Sequence, residues 1–366
     1  MGKKILFLAT HFISLYSTRR ELIQELCEQG YDVYLSLPES DDNKFFTDLG
    51  CKILPIKVDR RGTNPFKDIF VILNYFKTIR KLKPDIILSY EIKPNIYGGV
   101  ATFGCKIPQL ANITGLGTAI EDGGILSKLV VLFYRFAFGR VRTVFVQNES
   151  NLEFCRKNKI VKENYILIPG SGVNLAQHCF EEYPSSDDKT IFLIIGRVMK
   201  SKGADEILEA AEYIKSRYDN VIFRFIGFCE DEEYQMKVSS AVYKGIVEYY
   251  GNQTDVHPFI KESHATILPS YHEGMSNVLL ETAATGRPVL ASDIPGCRET
   301  FDPYVSGIPF EPKDSKDLIR AIEEFIAMSH DKRKAMGIAG RKKVEEQFDR
   351  QIVVNKYIEV IEKEVN

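Results

Sequence analysis

The sequence predicts an α/β protein made of two doubly wound, Rossmann-like domains, each a parallel sheet covered on both faces. Three observations carry this reading. The chain has 366 residues, and at roughly 100–200 residues per domain that length suggests two. Short β-rich runs alternate with amphipathic segments of helix length, the pattern of successive βαβ units. The alternation then breaks once, at residues 169–189, where Pro169, Gly170, Gly172, Pro184, Ser185, Ser186, Asp187 and Asp188 make a polar, turn-rich stretch.

The elements follow in order. Residues 5–9 form an apolar run, read as a first strand and too short for the core of a signal peptide. A helix near 17–29 is closed by Gly30. Strands at 32–37 and 52–56 flank a short helix near 42–49. A helix near 65–82 precedes a strand at 86–89. The series continues with a strand at 109–113, a helix near 126–138, a strand at 143–146, a helix near 149–157 and a strand at 165–168. After the break, strands at 190–195, 221–226, 247–249, 264–268 and 289–291 alternate with helices at 204–216, 231–244 and 277–285. Three helices near 315–328, 331–346 and 350–364 complete the chain. The longest apolar stretch, 129–134, lies far below the roughly 20 residues that span a bilayer, so no membrane crossing is expected.

Charge sets limits on partners. The chain holds 48 Lys and Arg against 50 Asp and Glu, a formal net charge of −2, which argues against a dedicated nucleic-acid binder. The balance is uneven along the chain. Residues 1–180 carry 24 basic and 17 acidic side chains, and residues 181–366 carry 24 and 33. Seven cysteines are scattered singly, without C-x-x-C spacing, a pattern of thiols in a reducing compartment and not of a disulfide framework or a zinc site.

In open α/β sheets ligands bind beyond the carboxyl ends of the strands. The loop after the first strand, Thr10-His11-Phe12-Ile13-Ser14, has no glycine, and no G-x-G-x-x-G opens either half, which counts against a nicotinamide or flavin enzyme. The second half opens with Gly196-Arg197-Val198-Met199-Lys200-Ser201-Lys202-Gly203 between a strand and a helix. It suits a diphosphate, because a turn glycine, the Arg197 donor fork and the Lys202 charge meet at a helix N-terminus; a solvated basic turn has the same composition. In Ser270-Tyr271-His272-Glu273-Gly274-Met275-Ser276-Asn277-Val278-Leu279-Leu280-Glu281 two glutamates flank a helix start. Glu273 lies before the helix, and Glu281 lies more than one turn inside it among apolar residues. A carboxylate so placed needs a partner, which a pair of ligand hydroxyls would supply; an exposed helix glutamate is the plainer reading.

The combination G-R-x4-K-G with P-S-x-x-E-G-x6-E-x4-G-x-P-V-x-A resembles the retaining, nucleotide-sugar-dependent family-4 glycosyltransferases of the GT-B fold, over nearly the whole chain. The resemblance implies an acceptor-binding domain at 1–170, a linker at 171–189, a donor-binding domain at 190–348 and a helix at 349–366 that returns to the first domain, with the site in the cleft between domains. It implies that Arg197 and Lys202 clamp the donor diphosphate, with Gly196 giving the turn. Glu281 would take the ribose hydroxyls and Glu273 the donor-sugar hydroxyls, and the amides at Gly274, Met275, Ser276 and Asn277 would meet the distal phosphate or the sugar. Segments Lys93-Pro94-Asn95-Ile96-Tyr97-Gly98, Asn112-Ile113-Thr114-Gly115-Leu116-Gly117 and Pro169-Gly170-Ser171-Gly172-Val173-Asn174 are similar to those of bacterial capsule, O-antigen and protein-glycan N-acetylgalactosaminyltransferases that extend undecaprenyl-diphosphate-linked sugars. Lys93, Asn95, Thr114 and His11 would then face the acceptor, although His11 equally suits a capping role.

The activity implied is retaining, metal-independent transfer of an N-acetylhexosamine or hexose from a UDP-sugar to a lipid-linked saccharide, with no cofactor. No D-x-D occurs in the chain, His257, His264 and His272 lack partners at metal-ligand spacing, and residues 230–233 read as a solvated helix start. Aromatic and cationic residues interleave at 66–83 and 128–142, which suits contact with an anionic membrane or helices whose cations simply reach water. The place expected is the cytoplasmic face of the inner membrane, as a peripheral protein. A GT-B sugar-nucleotide epimerase, which needs no acceptor, and a non-catalytic sugar-binding protein are the alternatives.

Overall fold

The computed structural model describes residues 2–58, 65–115, 120, 124–185 and 189–365. The chain divides into two units, Met1–Ser171 with Gln351–Asn366, and Gly172–Arg350. In the first, strands β1 (Lys4–Leu8), β2 (Asp32–Leu37), β3 (Lys52–Pro55), β4 (Ile86–Tyr90), β5 (Gln109–Ile113), β6 (Thr143–Val146) and β7 (Tyr165–Leu167) stand in the order β3-β2-β1-β4-β5-β6-β7. Every pairing is parallel. In the second, β8 (Thr190–Ile195), β9 (Val221–Ile226), β10 (Glu248–Tyr249), β11 (Ala265–Leu268), β12 (Val289–Ser292) and β13 (Gly307–Phe310) take the order β10-β9-β8-β11-β12-β13, again all parallel. This is the pair of doubly wound sheets that the alternation predicts. The central strands are buried on both faces, so β1 and β8 read as continuous apolar runs.

The helices of the first unit are α1 (Phe12–Glu28), α2 (Lys44–Asp48), α3 (Pro65–Leu82), α4 (Ile92–Ala101), α5 (Gly124–Phe138) and α6 (Glu149–Lys157). Those of the second are α7 (Ala204–Lys215), α8 (Glu232–Tyr243), α9 (His257–Glu262), α10 (Asn277–Ala284), α11 (Ser315–Ala327) and α12 (His330–Gln347). The last helix, α13 (Arg350–Val365), carries the chain into the first unit. Its Val353, Val354, Tyr357 and Ile361 join Ile5, Phe7, Leu22 and Leu26 in one core. There the wholly buried Arg19 donates to the Tyr357 hydroxyl at 3.3 Å and lies 5.1 and 5.2 Å from the Tyr90 and Tyr357 ring centres, so two rings stand in for a carboxylate.

Several elements differ from the sequence reading. Helix α1 starts at Phe12, five residues early, because its hydroxyls do not cap. Ser14, Ser17 and Thr18 bond back to the carbonyls of His11, Ile13 and Ser14 at 3.0, 2.6 and 2.6 Å and so sit inside the helix. Helices α4 and α9 and strand β13 are additional. Pro94 and Pro258 hide the two helices, yet each proline falls in a first turn, where its missing N–H costs nothing. Gly98 and Gly99 let α4 close on its neighbours, since a Cβ there would meet Leu8 Cδ1 and the Ala137 carbonyl at 2.8 Å.

The turn-rich stretch is packed as a strap on the second unit, in its described part. Val173 exchanges backbone hydrogen bonds with Phe348 and Arg350 at 2.8 and 3.0 Å. The fully buried Arg287 donates to the carbonyls of Glu181, Glu182 and Lys261 at 2.8, 2.8 and 2.7 Å. Residues 186–188 lie outside the described residues.

His264 joins this strap to the sheet: its carbonyl accepts from the Tyr183 hydroxyl at 2.9 Å. Its N–H donates to Ile191 O at 2.8 Å, and its Nδ1 accepts from Ile191 N at 3.1 Å. Burial first, then the Arg333 and Arg287 cations, push its pKa down to about 4 from the ordinary 6.5. The unfolded chain therefore binds the extra proton between those values, so stability is lost as the pH falls from about 6.5 toward about 4, by roughly 3 kcal/mol in full. Urea unfolding at pH 7, 6 and 5 should show a shallower decline for His264→Asn than for the wild type; parallel declines would exclude this role.

Candidate functional site

In each sheet the winding reverses beside one strand pair, β1/β4 in the first unit and β8/β11 in the second. Loops leave such a pair in opposite directions and open a crevice at the carboxyl ends. In the second unit a cavity of about 230 Å3 lies there, lined among others by Gly196, Arg197, Lys202, Glu273, Ser276 and Asn277. Lys202 Nζ meets Glu273 Oε1 at 2.6 Å, and Arg197 donates to Glu230 Oε2 at 3.1 Å. Both pairs are partly buried, where screening by water is weaker than at an open surface.

Backbone geometry brings these side chains together. After β8, Gly196 takes φ +146° and the chain makes a short 3-10 turn, Lys200–Lys202. Gly203 then adopts φ +69° at the start of α7, and a Cβ there would lie 2.2 Å from Pro269 O. Only glycine permits both the turn and this approach to the end of β11. On the opposite wall Ser276 caps α10. Its N–H donates to Gly296 O at 2.8 Å, and its Oγ accepts from Leu279 N at 3.3 Å. The amides of Asn277 and Val278 thus stand at the positive end of α10, and both residues line the cavity. Met275 lines it too, and Gly274 sits in the same turn. Cys297 is buried nearby; burial, then the neighbouring Glu273 charge, drive its thiol well above the usual range, so it is no nucleophile.

Glu281 stands in α10, half-buried, between the buried pairs Leu279–Leu280 and Ala283–Ala284. It is not among the residues lining the 230 Å3 cavity. The residues 230–233, read as a helix start, do begin α8 with Asp231 as its cap, but Glu230 also holds Arg197.

In the first unit a smaller cavity of about 210 Å3 is lined by Thr10, Glu91, Lys93, Asn95, Asn112 and Thr114, with Tyr134 beside them. Glu91 at the end of β4 is the residue the sequence reading missed. It takes φ +71°, which a side chain adopts only where the surroundings hold it. Its carboxylate accepts from Thr10 N at 2.9 Å and from the Thr10 hydroxyl, and it faces His11 Nδ1 at 3.1 Å. Burial opposes its ionisation, but the bonds from His11 and Thr10 outweigh it and hold the carboxyl below its usual range. His11 Nδ1 is also 3.0 Å from Thr10 Oγ1, whose hydrogen goes to Glu91, so Nδ1 carries a hydrogen and donates. The signal for Glu91 was its place one residue after a strand and two before Lys93.

Of the other expected residues, Lys93 pairs with Asp68 at 2.8 Å. Asn95 is fully buried, its Oδ1 accepting from Ser89 Oγ and its Nδ2 donating to Asn112 O, both at 2.8 Å. Leu116 and Gly117 of the segment Asn112–Gly117 lie outside the described residues. Elsewhere in the second unit, Cys179, Glu181 and His257 present ligand-type atoms within 4.8 Å of one another.

Comparisons with known proteins fit this architecture. Residues 177–343 match the model of "Glycosyl transferases group 1" and residues 4–148 that of "Glycosyl transferase 4-like". The chain is 29% identical to the N,N'-diacetylbacillosaminyl-diphospho-undecaprenol alpha-1,3-N-acetylgalactosaminyltransferase of Campylobacter jejuni, over 98% of each chain. It is 25% identical to the UDP-Gal:alpha-D-GlcNAc-diphosphoundecaprenol alpha-1,3-galactosyltransferase of Escherichia coli, over 84% of each. Its fold superposes on the crystal structure of a glycosyltransferase from Rickettsia africae ESF-5 with a TM-score of 0.81 at 17% identity, covering 100% of this chain and 99% of that one.

The wall of the larger cavity can be tested through its glycines. Gly203→Ala combines positive φ with the clash at Pro269, whereas Gly251 (φ +65°) has nothing within 4 Å of a Cβ. Gly251→Ala should cost about 1 kcal/mol and Gly203→Ala about 3 kcal/mol or more in urea unfolding. Equal costs would mean that the approach to Pro269 is not a constraint.

Proposed function

The chain belongs to the glycosyltransferases of the group 1 and 4-like families, and from that premise we propose the reaction it performs. It transfers an N-acetylhexosamine or hexose from a UDP-sugar to a saccharide carried on undecaprenyl diphosphate, with retention, in the assembly of a bacterial surface polysaccharide or glycan. Two near-full-length relatives named as transferases to diphospho-undecaprenol sugars support the acceptor, and one named for UDP-Gal supports the nucleotide. The observation that carries the reading is one cavity holding Arg197, Lys202 and Glu273 at the positive end of α10.

The domain beginning near residue 190 binds the donor. Arg197 and Lys202 hold the diphosphate, the turn at Gly196 admits it, and the segment Gly274–Asn277 meets the distal phosphate or sugar through amides. Glu273 binds sugar hydroxyls while fixing the Lys202 ammonium, and Glu281 takes the ribose hydroxyls. The domain ending near residue 170 binds the acceptor at His11, Lys93 and Thr114, with Glu91 orienting His11; Asn95, fully buried, ties α4 to Ser89 and Asn112 behind them. In the transfer step the acceptor hydroxyl attacks the anomeric carbon on the face the diphosphate leaves. The carbon–oxygen bond to phosphate breaks as the new glycosidic bond forms, and the acceptor proton passes to the leaving phosphate oxygen. Arg197 and Lys202 stabilise the charge developing there, a kind of contribution worth about 10²–10³ in rate for each donor. They supply the positive charge without a metal ion.

No helix among the described residues is long and apolar enough to cross a membrane. Peripheral contact with an anionic leaflet on the cytoplasmic face of the inner membrane is supported by two helices that both pack on α4. Helix α3 exposes Ile69, Phe70 (72% exposed) and Leu73, and α5 exposes Leu126, Leu129, Leu132, Phe133 and Phe136. On α5 these apolar side chains lie opposite the buried Tyr134, Ala137 and Phe138, so the aromatics face solvent beside Lys128 and Arg135 instead of the core. Such a face suits the headgroup boundary.

Two measurements test this. Incubated with UDP-, GDP- and dTDP-sugars and an undecaprenyl-diphosphate-linked saccharide, the protein should consume a UDP-sugar only with acceptor present and form the retained linkage. Lys202→Ala and Arg197→Ala should each lose about 100-fold or more in kcat/KM. Full activity in both variants, a new free UDP-sugar made without acceptor, or loss in EDTA that Mg2+ or Mn2+ restores would each overturn the mechanism. In flotation, the protein should rise with liposomes containing phosphatidylglycerol and not with phosphatidylcholine alone. The double variant Phe70→Ser, Phe133→Ser should stay at the bottom; flotation unchanged by it would remove the proposed face.

A further inference from the structure

The strap on the second unit passes α9 and the end of α10, and there three ligand-type atoms converge. Cys179 Sγ is 3.7 Å from His257 Nε2 and 3.7 Å from Glu181 Oε1, and His257 Nε2 is 3.3 Å from Glu181 Oε1. Around a tetrahedral Zn2+ bound at ordinary lengths, thiolate, imidazole and carboxylate atoms stand about 3.4–3.6 Å apart. The three separations here thus outline one face of such a tetrahedron.

The surroundings orient each atom toward that centre. The Thr285 hydroxyl donates to Glu281 O at 2.9 Å, so its oxygen can only accept from His257 Nδ1, 3.4 Å away. Nδ1 then carries a proton, and in the neutral ring the Nε2 lone pair faces the sulfur and the carboxylate. Lys261 Nζ holds Glu181 Oε2 at 2.9 Å, which leaves Oε1 directed inward. The lysine does for the carboxylate, and Thr285 for the imidazole, what outer partners do around metal ligands. The single thiol proton can satisfy one of the two acceptors, whereas a cation satisfies all three atoms. Cys179 is exposed, which leaves a way in for the ion and room for a water as fourth ligand.

We propose that Cys179, Glu181 and His257 form a binding site for a borderline-soft divalent cation of the Zn2+ type. The bound ion ties the strap to the first residue of α9. Binding forms a metal–sulfur bond and releases the thiol proton to solvent, so the affinity falls as the pH is lowered. None of the three residues lines the cavity with Arg197 and Lys202, and the site is independent of the transfer reaction proposed above. Sequence spacing conceals it, because only Cys179 and Glu181 are close in the chain and His257 follows 76 residues later.

Zn2+ titration of the reduced, metal-free, full-length protein against a chromophoric chelator tests the site. One equivalent per chain is expected, with a rise of several degrees in Tm, and Co2+ in place of Zn2+ should show a sulfur-to-metal charge-transfer band. Cys179→Ser is conservative and exposed, so folding is not at risk; it should weaken Zn2+ at least 100-fold and abolish the band. His257→Gln should weaken Zn2+ similarly, and Cys229→Ser, a thiol elsewhere in the unit, should change neither. Failure of the wild type to take up Zn2+, binding that survives Cys179→Ser, or equal weakening by Cys229→Ser would overturn the proposal.

Discussion

The order of strands in each parallel sheet governs the rest of the molecule. A right-handed crossover carries the chain one way from β1 through β2 to β3, and the next strand, β4, must then join on the other side of β1. The same happens at β8 and β11. Where neighbouring loops diverge, the carboxyl ends of two strands are left uncovered. The first reversal sets Thr10 and His11 against Glu91; the second sets Lys202 against Glu273. Neither pair is close in sequence. Each is a consequence of winding.

That geometry holds only because the backbone can come close at a few points. Gly203 lies against Pro269 O, and Gly296 lies against the Glu273 and Gly274 carbonyls, where a Cβ would sit at 2.6 and 2.7 Å. The loops are therefore fixed by contact between main chains and not by side-chain packing, which places the Lys202 and Glu273 side chains to within the play of their own rotamers. The interior accommodates its charges by a related rule. Arg287 spends its guanidinium on backbone carbonyls of the strap, and Arg19 spends its on two tyrosines. Each is a buried cation without a carboxylate, its terminal nitrogens met by dipoles that the fold leaves over while its Nε has no hydrogen-bond partner.

How much of this could be read in advance depended on the range of the interaction. The sheets were legible, because buried parallel strands leave apolar runs and the helices between them are amphipathic. The loop at Gly196–Gly203 and the turn at Glu273–Asn277 were legible as a motif, since each is contiguous in the chain. Helix α4 was not, because Pro94 and the Gly98–Gly99 pair look like a breaker and act as a first-turn proline and a packing seam. Helix α1 was cut short because serines that bond back along a helix look, in a string of letters, like serines that start one. Glu91 and the strap escaped for a further reason: a carboxylate joined to Thr10, and a turn-rich segment clasped by Arg287, make their contacts with residues about 80 and 105 positions away.

The charge distribution gains its meaning at the same places. A basic stretch at 1–180 and an acidic one at 181–366 would suggest that anions belong with the first, yet the cavity lined by Arg197 and Lys202 lies in the second unit. The ion pairs explain how. Arg197 and Lys202 are each bound to a carboxylate, so the cations are held in position and the acids beside them are neutralised. The diphosphate proposed for this cavity does not meet the field of the acidic unit as a whole, because exposed charges more than about 8–10 Å away are largely screened. It meets two cations, the amides of a helix start, and carboxylates whose hydrogen-bonding capacity the cations have partly taken up. In the reaction proposed above, exchange of a carboxylate for a phosphate at Lys202 would leave Glu273 facing the ligand, where sugar hydroxyls could donate to it. On that proposal the pair is a placeholder whose two halves are both used, and local pairing, not the sign of the unit, decides what binds.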